Sequence, residues 1–157
     1  MGRIAAQSSL CTGCRLCEMA CSVDKTGQFS PKSSRIWIET DALVGKDVPH
    51  VCQQNIKACR DKGKDQPRCI AACPAAAEAS PPIYWDEVHA MVRFDLREDC
   101  SKCLACLDVC RFQAIRIDPL IGQLVKCELC GGDPQCIKLC VVNAIKYDQE
   151  QKADGVD

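Results

Sequence analysis

Sixteen cysteines are spread through 157 residues and fall into four groups of four, with none left over. The first group is Cys11, Cys14, Cys17 and Cys21, and the second is Cys52, Cys59, Cys69 and Cys73, followed by Pro74. The third is Cys100, Cys103, Cys106 and Cys110, and the fourth is Cys127, Cys130, Cys136 and Cys140. The chemistry open to such sets is thiolate ligation. A cubane iron–sulfur cluster needs four thiolates converging on a small metal–sulfide core. Cysteines separated by two residues let one loop wrap three corners, and the fourth corner must come from elsewhere in the chain. In bacterial ferredoxins the run C-x2-C-x2-C-x3-C-P works in this way, its last cysteine serving a second cluster. The first and third groups have that spacing without the proline, since Ser22 and Arg111 follow Cys21 and Cys110.

Two other readings of the cysteines are weaker. Structural zinc uses C-x2-C pairs, but a third cysteine two residues on and then a fourth crowd a single tetrahedron. A disulfide framework belongs to exported proteins, and bonds between cysteines so close in sequence would be strained. Composition agrees with a metal framework. Aromatic residues make up 4% and hydrophobic residues 47%, a figure that includes the cysteines themselves. A chain with so few large apolar side chains needs something besides hydrophobic burial to hold it together. The net charge of -1 and pI near 6.1 give no positive field for nucleic acid or anionic lipid.

The first cysteine is at position 11, and the preceding residues show no charged-then-apolar leader and no twin-arginine pair. No apolar run approaches the ~18 residues of a membrane span. The expectation is a cytoplasmic protein with reduced thiols, exported only if a partner carries the signal. There is no Gly-rich phosphate loop, no nucleophile–base pair and no paired carboxylates. The expected role is therefore electron transfer without catalysis.

The elements that must position the cysteines are short. Cys110-Arg-Phe-Gln-Ala-Ile-Arg-Ile-Asp118 repeats in Cys140-Val-Val-Asn-Ala-Ile-Lys-Tyr-Asp148, and Cys73-Pro-Ala-Ala-Ala77 keeps the alanine four residues after its cysteine. Alternation predicts strands at 35–38, 83–85, 91–94, 114–118, 123–126 and 144–147, with a hairpin joining 83–85 to 91–94. Between the third and fourth cysteines of a group there is room for about one helical turn. The fold class expected is α+β. Residues 1–148 form one domain and 149–157 a polar tail. His50 and His89 read as surface or turn histidines. Trp37, Tyr84, Trp85 and Tyr147 read as the scarce packing against the cysteine sites. The basic stretch Lys57 to Arg68 reads as a solvated loop that could face an acidic partner.

The segment Lys126-Cys-Glu-Leu-Cys130, followed by Asp133-Pro-Gln-Cys136 and Cys140, resembles the fourth cysteine group of a known family. That family is the four-cluster ferredoxin-like electron-transfer subunits of the dimethyl sulfoxide reductase and formate dehydrogenase type. The opening Cys11-Thr-Gly-Cys-Arg-Leu-Cys17 is equally similar, and the resemblance runs from Cys11 to Tyr147. It implies nested pairing of the groups around four [4Fe–4S] clusters. One cluster would take Cys11, Cys14, Cys17 and Cys140, and a second Cys127, Cys130, Cys136 and Cys21. A third would take Cys100, Cys103, Cys106 and Cys73, and the fourth Cys52, Cys59, Cys69 and Cys110. It further implies two nested ferredoxin-like modules, the outer at 1–40 with 119–148 and the inner at 48–118.

The second group departs from the family pattern, because Asn55 stands where a second cysteine would fall. Cys59 then serves through a wider loop, in preference to a three-iron or otherwise irregular cluster. The partner implied is a catalytic pterin-cofactor subunit, in the first place a tungsten aldehyde oxidoreductase, with a flavin/NAD or ferredoxin partner taking the electrons. A formate dehydrogenase or hydrogenase complex is the alternative. Clusters near both faces would also let copies of the chain associate into a longer wire.

Overall fold

A computed structural model describes residues 2–148; the polar tail expected at 149–157 lies outside them. Its strands are β1 (Arg3–Ala6), β2 (Ile36–Asp41), β3 (Lys46–Val51), β4 (Ile83–Asp86), β5 (Met91–Phe94), β6 (Arg116–Asp118), β7 (Gln123–Val125) and β8 (Ile145–Asp148). They pair as four separate antiparallel ladders, β1 with β8, β2 with β3, β4 with β5 and β6 with β7. A lone two-stranded ladder is marginal in water, so each depends on packing against a cysteine loop.

Alternation explains β2, where Ile36 and Ile38 are buried and lie opposite Val51 and Pro49. At the hairpin tip the Asp41 carboxylate accepts hydrogen bonds from the backbone N–H groups of Leu43 (3.0 Å) and Val44 (3.2 Å). That local bond is the usual reason for aspartate at a turn. The predicted hairpin forms as β4 and β5, with Ile83 opposite Phe94. β1 and β3 carry weak patterns, Arg-Ile-Ala-Ala and Lys-Asp-Val-Pro-His-Val, and reasoning from alternation passed over both. What makes them strands is their partner: β1 has no neighbour until the end of the described chain folds back beside it.

α1 (Leu16–Thr26) runs for 11 residues, well past the single turn expected between Cys17 and Cys21. Its buried face, Cys17, Glu18, Cys21 and Ser22, continues beyond the last cysteine and packs against β2. It stops at Gly27, whose left-handed φ of 71° suits a residue without Cβ. The other α-helices are single turns of four residues. α3 (Arg68–Ala71), α5 (Ala105–Asp108) and α6 (Gln135–Lys138) fall between third and fourth cysteines as the spacing predicts, whereas α2 (Ile56–Cys59) and α4 (Cys100–Cys103) lie between first and second cysteines and were not expected.

Two apolar cores form. The first gathers Ile4, Ile36, Ile38, Val51, Met91, Leu129 and Ile145 with Cys17, Cys21, Cys127 and Cys136. The second gathers Ile70, Ile83, Val92, Ile115 and Leu124 with Cys106. Trp85 packs on the second core and Tyr147 on the first. Tyr84 is instead exposed, because its neighbours Ile83 and Trp85 take the inward positions of β4.

His50 also departs from expectation, for it is buried. Its ring stacks on Trp37 with centroids 4.1 Å apart and hydrogen-bonds the Phe112 carbonyl at 3.1 Å and Glu39 at 2.9 Å. The Trp37 indole N–H donates to the Gln113 carbonyl at 2.9 Å. The pair therefore latches the β2–β3 hairpin onto the turn that follows Cys110. His89 lies in the β4–β5 turn as expected, where its backbone N–H donates to Asp86.

Candidate iron–sulfur sites

The loops around the cysteines turn on residues held at positive φ. Arg15 (58°) and Leu104 (54°) occupy equivalent places, each directly after the second cysteine of its group and directly before a helix. Gln113 (48°) and Asn143 (52°) are likewise matched, each three residues after the last cysteine of its group. The sequence repeat is thus also a repeat of backbone conformation. A left-handed non-glycine residue costs about 1–2 kcal/mol, and such residues persist where surrounding structure holds them. Within the first loop Gly13 adopts φ +67°, and a Cβ there would stand 2.6 Å from the Asp47 carboxylate. Glycine lets this loop lie against β3.

Thiols from distant stretches meet. Cys52, Cys59, Cys69 and Cys110 line one cavity, together with Trp85, Val92 and Phe112. Cys73, Cys100, Cys103 and Cys106 line a second, walled by Pro74, Pro82, Ile83 and Leu124. Cys21, Cys127, Cys130 and Cys136 line a third, beside Ile36, Val51 and Pro134. The remaining thiols are close enough to sense one another's charge: burial chiefly raises the Cys11 and Cys17 thiols, with smaller contributions from Cys14 and Cys140 on Cys11 and from Cys11 and Cys14 on Cys17.

Cys59 reaches its cavity through Asn55. The Asn55 side chain accepts a hydrogen bond from the Ala58 N–H (3.2 Å), and the Asn55 carbonyl accepts from the Cys59 N–H (2.9 Å). The residue standing in place of a cysteine is the N-cap of α2, and that one turn carries Cys59 inward.

Burial dominates the acidity of these thiols. It pushes Cys17, Cys69 and Cys127 up to about 12, and Cys59 and Cys106 to about 11. In the bare chain they are neutral, so a metal must displace their protons to bind, which couples assembly to folding. Backbone N–H groups already point at sulfur. Arg35 donates to Cys21 Sγ at 3.1 Å, Ala114 to Cys110 Sγ at 3.3 Å and Leu129 to Cys127 Sγ at 3.4 Å. Such bonds stabilise negative charge on a ligated sulfur and raise a cluster's potential.

The donor chemistry fits iron–sulfur clusters. Each cavity offers four thiols, and its remaining wall is largely apolar. Four thiols around one cavity match the number a cubane cluster needs, one for each iron.

Buried polar groups brace the sites. Glu18, 2% exposed, accepts the Ile38 N–H at 2.6 Å and so ties α1 to β2 between Cys17 and Cys21. Asp118, 1% exposed, accepts from Ser33 Oγ (2.9 Å) and pairs with Arg35 (2.8 Å). Gln54 donates to the Cys127 carbonyl at 2.8 Å and accepts from the Val92 N–H at 3.0 Å. Sequence reasoning passed over all three, because an isolated polar residue carries no periodic signal.

No family model matches the chain. Over 130 residues it is 38% identical to the polyferredoxin-like subunit of the aliphatic sulfonate oxidoreductase of Pyrococcus furiosus, a match covering 83% of this chain and 66% of that protein. It is 30% identical over 151 residues to subunit beta of the NADH-dependent phenylglyoxylate dehydrogenase of Aromatoleum evansii, covering 94% of this chain and 31% of that one. Against the iron–sulfur subunit of the nitrate-inducible formate dehydrogenase of Escherichia coli K12 it is 26% identical over 167 residues, covering 92% and 53% respectively. The chain thus spans about two thirds of the first relative, 31% of the second and 53% of the third. In backbone it resembles the active site complex BamBC of benzoyl coenzyme A reductase, with a TM-score of 0.50 over 100% of this chain and 82% of that one at 20% identity. That likeness supports a mixed fold of short helices and hairpins. On this sequence kinship the chain belongs with the ferredoxin-like and polyferredoxin-like iron–sulfur proteins.

Proposed function

We propose that the chain relays single electrons through four [4Fe–4S] clusters between a catalytic subunit and a second redox partner. The observation that supports this reading is that cysteines from distant segments line three common cavities, each with four thiols. On this reading the ligand sets are Cys11, Cys14, Cys17 and Cys140; Cys21, Cys127, Cys130 and Cys136; Cys52, Cys59, Cys69 and Cys110; and Cys73, Cys100, Cys103 and Cys106. Each cluster, when bound, supplies one-electron chemistry without ligand exchange. The chain's own work is spacing, insulation and tuning.

The sets follow one another in a row. Burial chiefly raises the Cys136 and Cys127 thiols, and Cys17 and Cys52 respectively add to it, so neighbouring sets are within electrostatic reach. α3 and α5 pack together and carry Cys69 of the third set and Cys106 of the fourth. Solvent meets this row at its ends, where Cys14 and Cys103 are exposed. Electrons would enter near one and leave near the other. On this reading an outer module, 1–40 with 119–148, wraps an inner one at 48–118, and Cys59 is a full ligand.

The catalytic partner is a pterin-cofactor oxidoreductase, with aldehyde oxidation by a tungsten enzyme as the first choice. Electrons would pass on to a flavin/NAD or ferredoxin partner. Support comes from the family resemblance and from relatives that are themselves subunits of oxidoreductases. The test is anaerobic purification of the intact complex, with iron, sulfide, tungsten and molybdenum analysis and mass identification of the partners. Four irons for each thiol set and tungsten in the partner are expected. A three-iron signal in native protein would remove Cys59 from the ligand set, and a molybdenum formate dehydrogenase in the complex would replace the aldehyde-oxidising partner. A folded chain carrying zinc alone would end the relay reading.

A further inference from the structure

Lys126 is 6% exposed, in a fold with few large apolar side chains to surround it. Its ammonium donates to the Cys127 carbonyl at 3.1 Å and lies 5.2 Å from the centre of the Phe94 ring. Among the described residues no carboxylate lies within ion-pair distance of it; nearby Glu128 pairs with Lys25 instead. A buried cation without a counter-charge is costly, so such groups are found paired. The counter-charge available is sulfur. Lys126 lines the cavity of Cys52, Cys59, Cys69 and Cys110, and its neighbour Cys127 lines that of Cys21, Cys130 and Cys136.

We propose that Lys126 is a shared electrostatic tuning residue, raising the reduction potentials of the two central clusters and leaving the two terminal ones unchanged. The inference rests on the relay reading. A ligated cubane is already a net anion, and one electron passed to it from the neighbouring iron–sulfur site adds one further negative charge. A fixed positive charge in a dry interior favours the more negative state. Because Lys126 stands between the two central sets, it acts on both. Deep burial alone would disfavour the added charge at these positions, and Lys126 offsets that penalty so that the middle of the relay remains accessible to electrons. It touches no substrate, and its effect runs through the field it creates.

The experiment is a redox titration followed by electron paramagnetic resonance, on the cluster-loaded chain in its complex. Lys126→Met, Lys126→Gln and Lys126→Arg are compared with the wild type. The signals of the terminal clusters are assigned through Cys14→Ser and Cys103→Ser. Removal of the charge is expected to shift the oxidised-to-reduced ratio of two clusters by about tenfold at fixed ambient potential, which is about 59 mV for one electron. The other two clusters hold their potentials, and Lys126→Arg retains the wild-type values. Four unchanged potentials, four equal shifts, or an arginine variant that behaves like methionine would overturn the assignment.

Iron and sulfide counts on every sample keep this test apart from that of the relay. A chain without four clusters refutes the relay, whereas four clusters with no selective shift refute only the role of Lys126. If both neutral variants lose iron, the wild type decides. Central clusters titrating at or above the terminal ones support the role of Lys126, and central clusters titrating below them refute it.

Discussion

The region around Cys17 and Cys136 and the region around Cys69 and Cys106 carry equivalent cysteine sets on unequal scaffolds. The first has the 11-residue α1, the six-residue strands β2 and β3 and the ladder closing β1 onto β8. The second has one-turn helices, the four-residue β4 and β5, and the long loop through Arg60 and Lys64. The first core also buries more isoleucine, valine, leucine and methionine than the second. The lesson is that thiol sets of one composition can be held in two ways. In the first region conventional packing does much of the positioning; in the second the metal centres must supply a larger share of the order.

That contrast is open to attack. The largest effect expected is from anaerobic iron chelation. Amide hydrogen exchange followed by mass spectrometry should show residues 52–112 losing all protection, while β2 and α1 retain a slower-exchanging fraction. Simultaneous loss throughout would mean that the two regions depend equally on metal.

Asp118→Ala comes next, because it strips Arg35 and Ser33 of a buried carboxylate. A loss of about 3 kcal/mol is expected, seen as a lower unfolding midpoint of the cluster-loaded protein. A change near zero would show that this pair does not join the regions. Gln54→Ala should cost about 2 kcal/mol by leaving the Val92 N–H unsatisfied and removing one bond to the Cys127 carbonyl. Exchange at β5 should accelerate with it. The smallest effect, about 0.5 kcal/mol or less, belongs to Arg3→Ala, whose ion pair with Asp148 is a third exposed on both sides. A larger loss would make closure of β1 on β8 a stronger support of the first region than its buried core.

Much of this architecture was legible from residue order. Strands β2, β4, β5, β6, β7 and β8 follow from alternation, and the one-turn helices α3, α5 and α6 follow from the spacing of the last two cysteines in a group. β1 and β3 did not announce themselves, because their hydrogen-bond partners, not their own patterns, make them strands. α1 outran its expected length because its buried face continues past Cys21. His50 looked like a surface residue until the hairpin folded onto the turn after Cys110 and covered it.

Residue types and spacing alone determined that this chain offers thiolates in sets and holds almost no other reactive chemistry, since ligand identity and loop reach are local properties. Which sulfurs face one another, how Asn55 carries Cys59 inward and why Lys126 stands between two cavities were decided only in three dimensions. Those relations join residues far apart in the chain, and no periodicity encodes a contact between segments that become neighbours only when the whole has closed.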